Sequence, residues 1–366
     1  MIGKFQFLRS LVLSKKVNKK IIVIESDDWG SERIPNSEVR EELATLGIDM
    51  ESNPHSKYDS LERFEDLLEL EHVLDYFANE YKKKKKITAN FITANPYFER
   101  IKESKYQEYF FEPFNLTYFN RDKNQDVLNQ IKKMINKNYF QPQFHGREHI
   151  NVNFWLEELK NGNQDFLNAF KRNCYAIDSN KMSKNRKNLM AALEYENDDQ
   201  KRFVEESISA GHQIFKDVFG FNSTTFIAPR YVWNDQINDR LLREGITHLQ
   251  TVMYQQSFKN KQYETVFHYT GQKNRKCDLK YLVRNVYFEP SYGKIDWVKN
   301  AMDKIDLAFK FKTPAIICMH RLNFVGGIDQ NARENHLNQF KTLLESIITR
   351  YPEVEFLSSD ELAQLI

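Results

Sequence analysis

The chain has 366 residues, 41% of them hydrophobic and 14% aromatic, and a formal net charge of +2. That length buries a large core, as one big domain or two smaller ones, and the near-balanced charge excludes a global field aimed at nucleic acid or an acidic partner. The three cysteines, Cys174, Cys277 and Cys318, are widely spaced and form neither a disulfide framework nor a CxxC zinc pattern, which suits a reducing compartment.

In chain order, the N-terminal stretch "MIGKFQFLRSLVLSKKVNKK" has a short apolar segment but no signal-type hydrophobic region with a small-residue cleavage site. It reads as an amphipathic first helix. No segment approaches the roughly 20 apolar residues that span a bilayer, so a cytoplasmic enzyme or binding protein is expected. Short β-branched runs then recur: "IIVIES" (21–26), "ITANFIT" (87–93), "YFQPQFH" (139–145), "TTFIAP" (224–229), "THLQTV" (247–252), "YLVRNVYFEP" (281–290), "AIICMH" (315–320) and "VEFLSS" (354–359). Amphipathic helical patterns such as "SLERFEDLLELEHVLDYFANEYKKK" separate them. This alternation predicts parallel strands with crossover helices, an α/β barrel or an open doubly wound sheet. The basic run Lys82–Lys86 reads as a solvated helix end. Residues 150–215 read as a helical insertion within one domain spanning 1–366. No GxGxxG or P-loop follows any strand, which argues against dinucleotide or nucleoside triphosphate binding.

Residues suited to chemistry fall at the ends of the runs: Asp27-Asp28 after the first, His145 in the third, Pro229-Arg230-Tyr231 after the fourth, His320-Arg321 after the seventh. Strand carboxyl ends share one face in parallel barrels and sheets, and active sites form there. His145 and His149 are spaced i, i+4, which on one helical turn puts both imidazoles on one face. Asp28 would complete a two-His, one-carboxylate set with open positions, the pattern of a catalytic metal site. A dication there would also relieve the repulsion between the adjacent aspartates.

These segments resemble the polysaccharide deacetylase family, carbohydrate esterase family four. "SDDWG" is similar to its first motif, "HGREH" to its His-x-x-x-His motif, "APRYVWN" to its third, "DW" at Asp296-Trp297 to its fourth and "ICMH" to its fifth. The motifs run in family order over residues 21–320. The resemblance implies a distorted (β/α)7-type barrel with helical insertions and one divalent metal ion, zinc being the expected one. It implies Asp28, His145 and His149 as metal ligands, Asp27 as general base and His320 as general acid. Arg230 would orient Asp27, with Arg147 and Arg321 as alternatives. Tyr231, Trp297 and Trp29 are expected at the substrate pocket, with a backbone N–H near Tyr231 aiding the oxyanion. Glu25-Ser26 and Trp29 depart from the family's first motif and mark where substrate preference is expected to lie; Glu289 stands in for an absent motif-four aspartate. The implied activity is removal of an acetyl group from an N-acetylated sugar or polysaccharide. Hydrolysis of another non-peptide C–N bond and non-catalytic carbohydrate binding are the alternatives. A glycosidase mechanism is disfavoured, because adjacent aspartates cannot flank a glycosidic bond at roughly 5–9.5 Å. The oligomeric state is left open.

Overall fold

The computed structural model describes residues 4–83, 85–121, 123, 126–179, 181–182, 189–259 and 262–366. All eight apolar runs form strands: β1 (Ile21–Trp29), β2 (Ile87–Ile92), β3 (Phe140–Gly146), β4 (Thr225–Ile227), β5 (His248–Val252), β6 (Lys280–Arg284) with β7 (Val286–Tyr287), β8 (Ala315–His320) and β9 (Glu355–Leu357). Every pairing among them is parallel. Successive neighbours run β1-β2-β3-β4-β5-β6, and β8 returns to β1. The "YLVRNVYFEP" run closes the circuit. Its first half, β6, pairs with β5, and its second half, β7, pairs with β8. Asn285, between the halves, stitches the seam: its Oδ1 accepts from the Ile316 amide (2.8 Å) and its Nδ2 donates to the Pro314 carbonyl (2.9 Å). The result is a distorted seven-stave (β/α) barrel, with β9 laid against the first residues of β1.

β1 is buried along its whole length and β3 along nearly all of it, as expected of strands covered by helices on one face and filled by side chains on the other. The crossover helices are Phe64–Glu80, Val127–Asn136, Asp198–Phe219, Trp297–Lys310 and Gln330–Arg350. Helix Asp198–Phe219 starts at Asn197, whose side chain accepts from the Gln200 amide, and stops at Gly220 in the left-handed conformation (φ +80°). It lays His212 and Phe215 on Phe144 of β3.

This helix corrects the insertion boundary, because it belongs to the barrel rather than to the excursion. The excursion proper contains helices Val152–Lys160 and Gln164–Phe170 and an apolar cluster of its own around Trp155, Phe166, Phe170 and Tyr175. Residues 180 and 183–188 of the expected insertion, and Lys84 of the basic run, lie outside the described residues. Two antiparallel pairs, Tyr254–Lys259 with Gln262–Phe267 and Ala94–Pro96 with Phe111–Pro113, were not legible as apolar runs. The first pair is polar along much of its length, and the strands of the second have three residues each. Among the described residues no helix is long and apolar enough to cross a membrane.

Candidate active site

Adjacent residues of a regular strand face opposite sides of the sheet, so Asp27 and Asp28 could not otherwise reach one cavity. β1 breaks the rule with a register shift between Ser26 and Trp29, and Asp28 adopts φ +76°. A non-glycine residue in that region costs about 1–3 kcal/mol and persists only where its surroundings over-determine it. The shift turns both carboxylates to the strand's carboxyl end and swings Trp29 into the core. Gly30 follows with φ +81°, and a Cβ there would sit 2.5 Å from the Ile92 carbonyl oxygen; the chain leaves the strand through a gap that only glycine fits.

Asp28, His145 and His149 converge, all buried, with their ligand-type atoms within 4.8 Å of one another. The Nε2 atoms of His145 and His149 lie 3.4 and 3.2 Å from Asp28 Oδ1. The i, i+4 spacing does not act through a helix. His145 ends β3 and His149 lies in the following loop, their rings 5.2 Å apart and nearly perpendicular. His145 Nδ1 lies 2.9 Å from the Ile227 carbonyl, to which it donates, and this turns Nε2 toward Asp28. Burial and the Arg33 charge hold the His149 pKa well below its usual value, keeping that imidazole neutral. Although burial opposes ionisation of Asp28, the Arg33 charge outweighs it and holds the carboxyl well below its usual range. Both Asp28 oxygens are nevertheless buried without a hydrogen bond; Arg33 Nη2 approaches Oδ2 at 3.0 Å as an ion pair only. A buried carboxylate with open lone pairs facing two imidazoles fits a divalent cation.

Two further groupings, Asp28–His55–His320 and Glu289–Cys318–His320, are less suited. His320 is held as a cation without a lone pair to give, and burial pushes the Cys318 thiol up to about 12.

Asp27 lies deeper. Arg284, at the end of β6, grips it with Nη1 to Oδ2 and Nη2 to Oδ1, both 2.6 Å, while Nε reaches Glu25 Oε2 at 2.6 Å. Asn90 Nδ2 adds a bond to Asp27 Oδ1 at 2.8 Å. Burial opposes ionisation of Asp27, but the Arg284 charge and hydrogen bonds outweigh it and bring the pKa to about 2. Arg284 thus occupies the position expected of Arg230. Arg147 is taken by Glu148, and Arg321 by Asp59 and Glu62. Arg230 is exposed on a turn with φ +59°, away from Asp27. The missed signal was the strand-end rule itself: Arg284 closes "YLVR" as Asp27 and His320 close their runs.

His320 Nδ1 is 2.6 Å from Glu289 Oε1, and its Nε2 is 3.8 Å from Asp27 Oδ2. Burial alone would lower its pKa; the Glu289 carboxylate, assisted by Asp27 and Asp28, instead raises it to about 9. Asn323 Nδ2 secures the other Glu289 oxygen at 2.8 Å.

Two expectations are corrected. Trp29 is 1% exposed and packs against Phe91, Phe140 and Phe324, with its Nε1 donating to Ser26 Oγ at 3.0 Å, so it belongs to the core and not to the wall of the site. Glu25 and Ser26 are fully buried as well, and Glu25 serves Arg284 and accepts from Ser359 Oγ; substrate preference does not lie there. The Tyr231 amide is bound to the Ala228 carbonyl (2.9 Å), while the Tyr231 hydroxyl meets Arg284 Nη1 at 2.9 Å. Asp296 of the "DW" pair caps helix Trp297–Lys310.

Asp27, His145, His149 and His320 open into one cavity of about 460 Å³, walled by Tyr231, Tyr287, Tyr292 and Trp297 and also bordered by His55, Arg33 and Arg230. His55 was not foreseen; its ring stands perpendicular to His320 at 5.0 Å, and its Nδ1 is 3.7 Å from Asp28 Oδ2. A second cavity of about 350 Å³, between Arg63 and Arg121, touches none of these groups.

No family model matches the sequence, and no curated protein matches it. Solved structures align with the chain over most of its length. A 4-alpha-glucanotransferase from Thermococcus litoralis aligns over 95% of this chain and 41% of its own, at 11% identity and TM-score 0.45. A putative polysaccharide deacetylase from Mycobacterium smegmatis aligns over 97% and 92%, at 10% identity and TM-score 0.45. The Puue allantoinase aligns over 94% and 89%, at 10% identity and TM-score 0.46. The chain therefore spans under half the length of the glucanotransferase.

Proposed function

We propose that this protein is a metal-dependent hydrolase that removes the acetyl group from an N-acetylated sugar. The observation that carries the reading is the grouping of three buried ligand-type side chains, Asp28, His145 and His149, at the floor of an aromatic-walled cavity that His145 and His149 line together with an arginine-bound Asp27 and a glutamate-bound His320.

A divalent ion held by Asp28, His145 and His149 would polarise a carbonyl oxygen and acidify water. Asp27 stays ionised over the ordinary pH range and accepts the proton of the attacking water at a carboxylate oxygen. With a pKa of about 2 it is a weak base, so it needs water that has been acidified. Arg284 and Asn90 fix its orientation. His320 carries a proton on Nδ1 for Glu289 and a second on Nε2, which it passes to the departing nitrogen. Tyr231, Tyr287, Tyr292 and Trp297 offer apolar faces to a sugar ring and exclude water.

The test is metal analysis of purified protein alongside acetate release from N-acetylated sugars. About one equivalent of a divalent ion is expected, and Asp27→Asn should abolish turnover while the metal stays. Loss of metal in Asp27→Asn would mean that base and ligand are exchanged. Sugar binding without acetate release in any metal state would leave a carbohydrate-binding protein in place of an enzyme.

A further inference from the structure

Arg230 borders the cavity but takes no part in the chemistry above. Among the described residues no carboxylate pairs with it. The other lining arginine, Arg33, is paired with Asp28 and Asp59. The lining acids are also engaged: Asp27 by Arg284, Glu289 by His320 and Asn323, and Asp178 by Asn53 Nδ2 at 2.7 Å. Arg230 is thus a cation without an ion-pair partner at the rim of the site, and Asp178, held only by a neutral amide, is the one lining acid not met by a cation.

The backbone holds it there at a cost. Arg230 (φ +59°, ψ +13°) and Tyr231 (φ +56°) are consecutive non-glycine residues in the left-handed region, directly after Pro229. Such strain persists where the surroundings enforce it and is concentrated at binding sites. The Tyr231 hydroxyl, tied to Arg284, anchors the inner side of the turn. The outer side therefore carries Arg230 beyond the Asp27–Arg284 pair and beside the Tyr292 wall, whose phenol its charge reaches. Arginine at such a place suits a planar or tetrahedral anion, which it meets with two parallel N–H bonds.

We propose that Arg230 binds an anionic group of the substrate, a carboxylate or a phosphate ester, so that the site takes anionic N-acyl sugars in preference to neutral ones. The proposal rests on reading the cavity as an N-acyl sugar site.

Calorimetric titration of the zinc-loaded protein with N-acetylglucosamine, its uronic acid analogue and its primary-alcohol phosphate ester tests it. The anionic sugars should bind about tenfold tighter or more, in line with a charge-assisted bidentate contact, and the advantage should shrink at high salt. R230Q should bring the anionic sugars down to the affinity of the neutral one, and R230K should keep part of the gap. The larger of the two gains identifies carboxylate or phosphate. Equal binding of all three sugars, absence of binding by any of them, or an equal loss for neutral and anionic sugars in R230Q would overturn the proposal. Acetate release in the same samples separates the two readings. Arg230-dependent binding of anionic sugars without acetate release removes hydrolysis and retains the inference. Acetate release at equal kcat/KM from neutral and anionic sugars does the reverse.

Discussion

Asp27 and Asp28 are neighbours in sequence but belong to different electrostatic regions. Within the barrel, Asp27 and Glu25 share the Arg284 guanidinium, with Asn90 and Ser359 supplying further hydrogen bonds. At the mouth, Asp28 faces two imidazoles and an arginine, yet neither of its oxygens accepts a hydrogen bond. The matched region is structural support that happens to end in a reactive carboxylate. In the mouth, polar atoms are desolvated without full compensation, a condition that folding alone does not favour and a ligand would complete.

The contrast is sharpest when the shared cation is removed. Arg284→Gln would leave two buried carboxylates facing each other and should destabilise the fold by about 3–5 kcal/mol, read from urea unfolding; a loss below about 1 kcal/mol would mean that the inner network is not structural. At the mouth the effect should depend on metal. Zinc at a hundredfold excess over its Kd should stabilise the protein by about 2.7 kcal/mol, read as a rise in Tm, and Asp28→Asn should gain none of it. A zinc-induced rise that survives Asp28→Asn would place the ion elsewhere.

Glu289→Gln probes the link between the regions. His320 titrates near 9 because Glu289 outweighs the effect of burial. Its donor form is lost as pH rises through that value, so activity should fall on the alkaline side near pH 9, and in Glu289→Gln this limb should move to lower pH by about a unit or more. An unmoved limb would remove His320 as the proton donor. A further effect concerns histidines outside the site. Burial lowers His248, His268 and His336 to about 4, so the folded state prefers their neutral form. That contribution is complete above their unfolded value of about 6.5 and is lost as pH falls through about 4. Unfolding midpoints should therefore decline across that window, and His268→Gln should flatten the decline.

Strand positions were legible because burial on both faces demands continuous β-branched runs, and all eight such runs became strands. The short polar pairs carried no such signature and were invisible. The same strand-end logic placed Asp28, His145, His149, Asp27 and His320 at one face, since parallel strands align their carboxyl ends whatever lies between them. Spacing misled where it implied a helix: His149 follows β3 through a loop, and the convergence is made by the fold.

What the sequence by itself determined is the alternation of parallel strands with helices and the identity of the residues at the strand ends, because hydrophobic period is a local property; the choice of a barrel over an open sheet came with the family resemblance and the closure of the fold. Only the tertiary structure decided who partners whom. That Asp27 belongs to Arg284, more than 250 positions away, and that Trp29 turns inward depend on a register shift in one strand and a closure between two others. Long-range charge pairing leaves no period in a sequence, because it is chosen among arginines of similar local context by distance and desolvation alone.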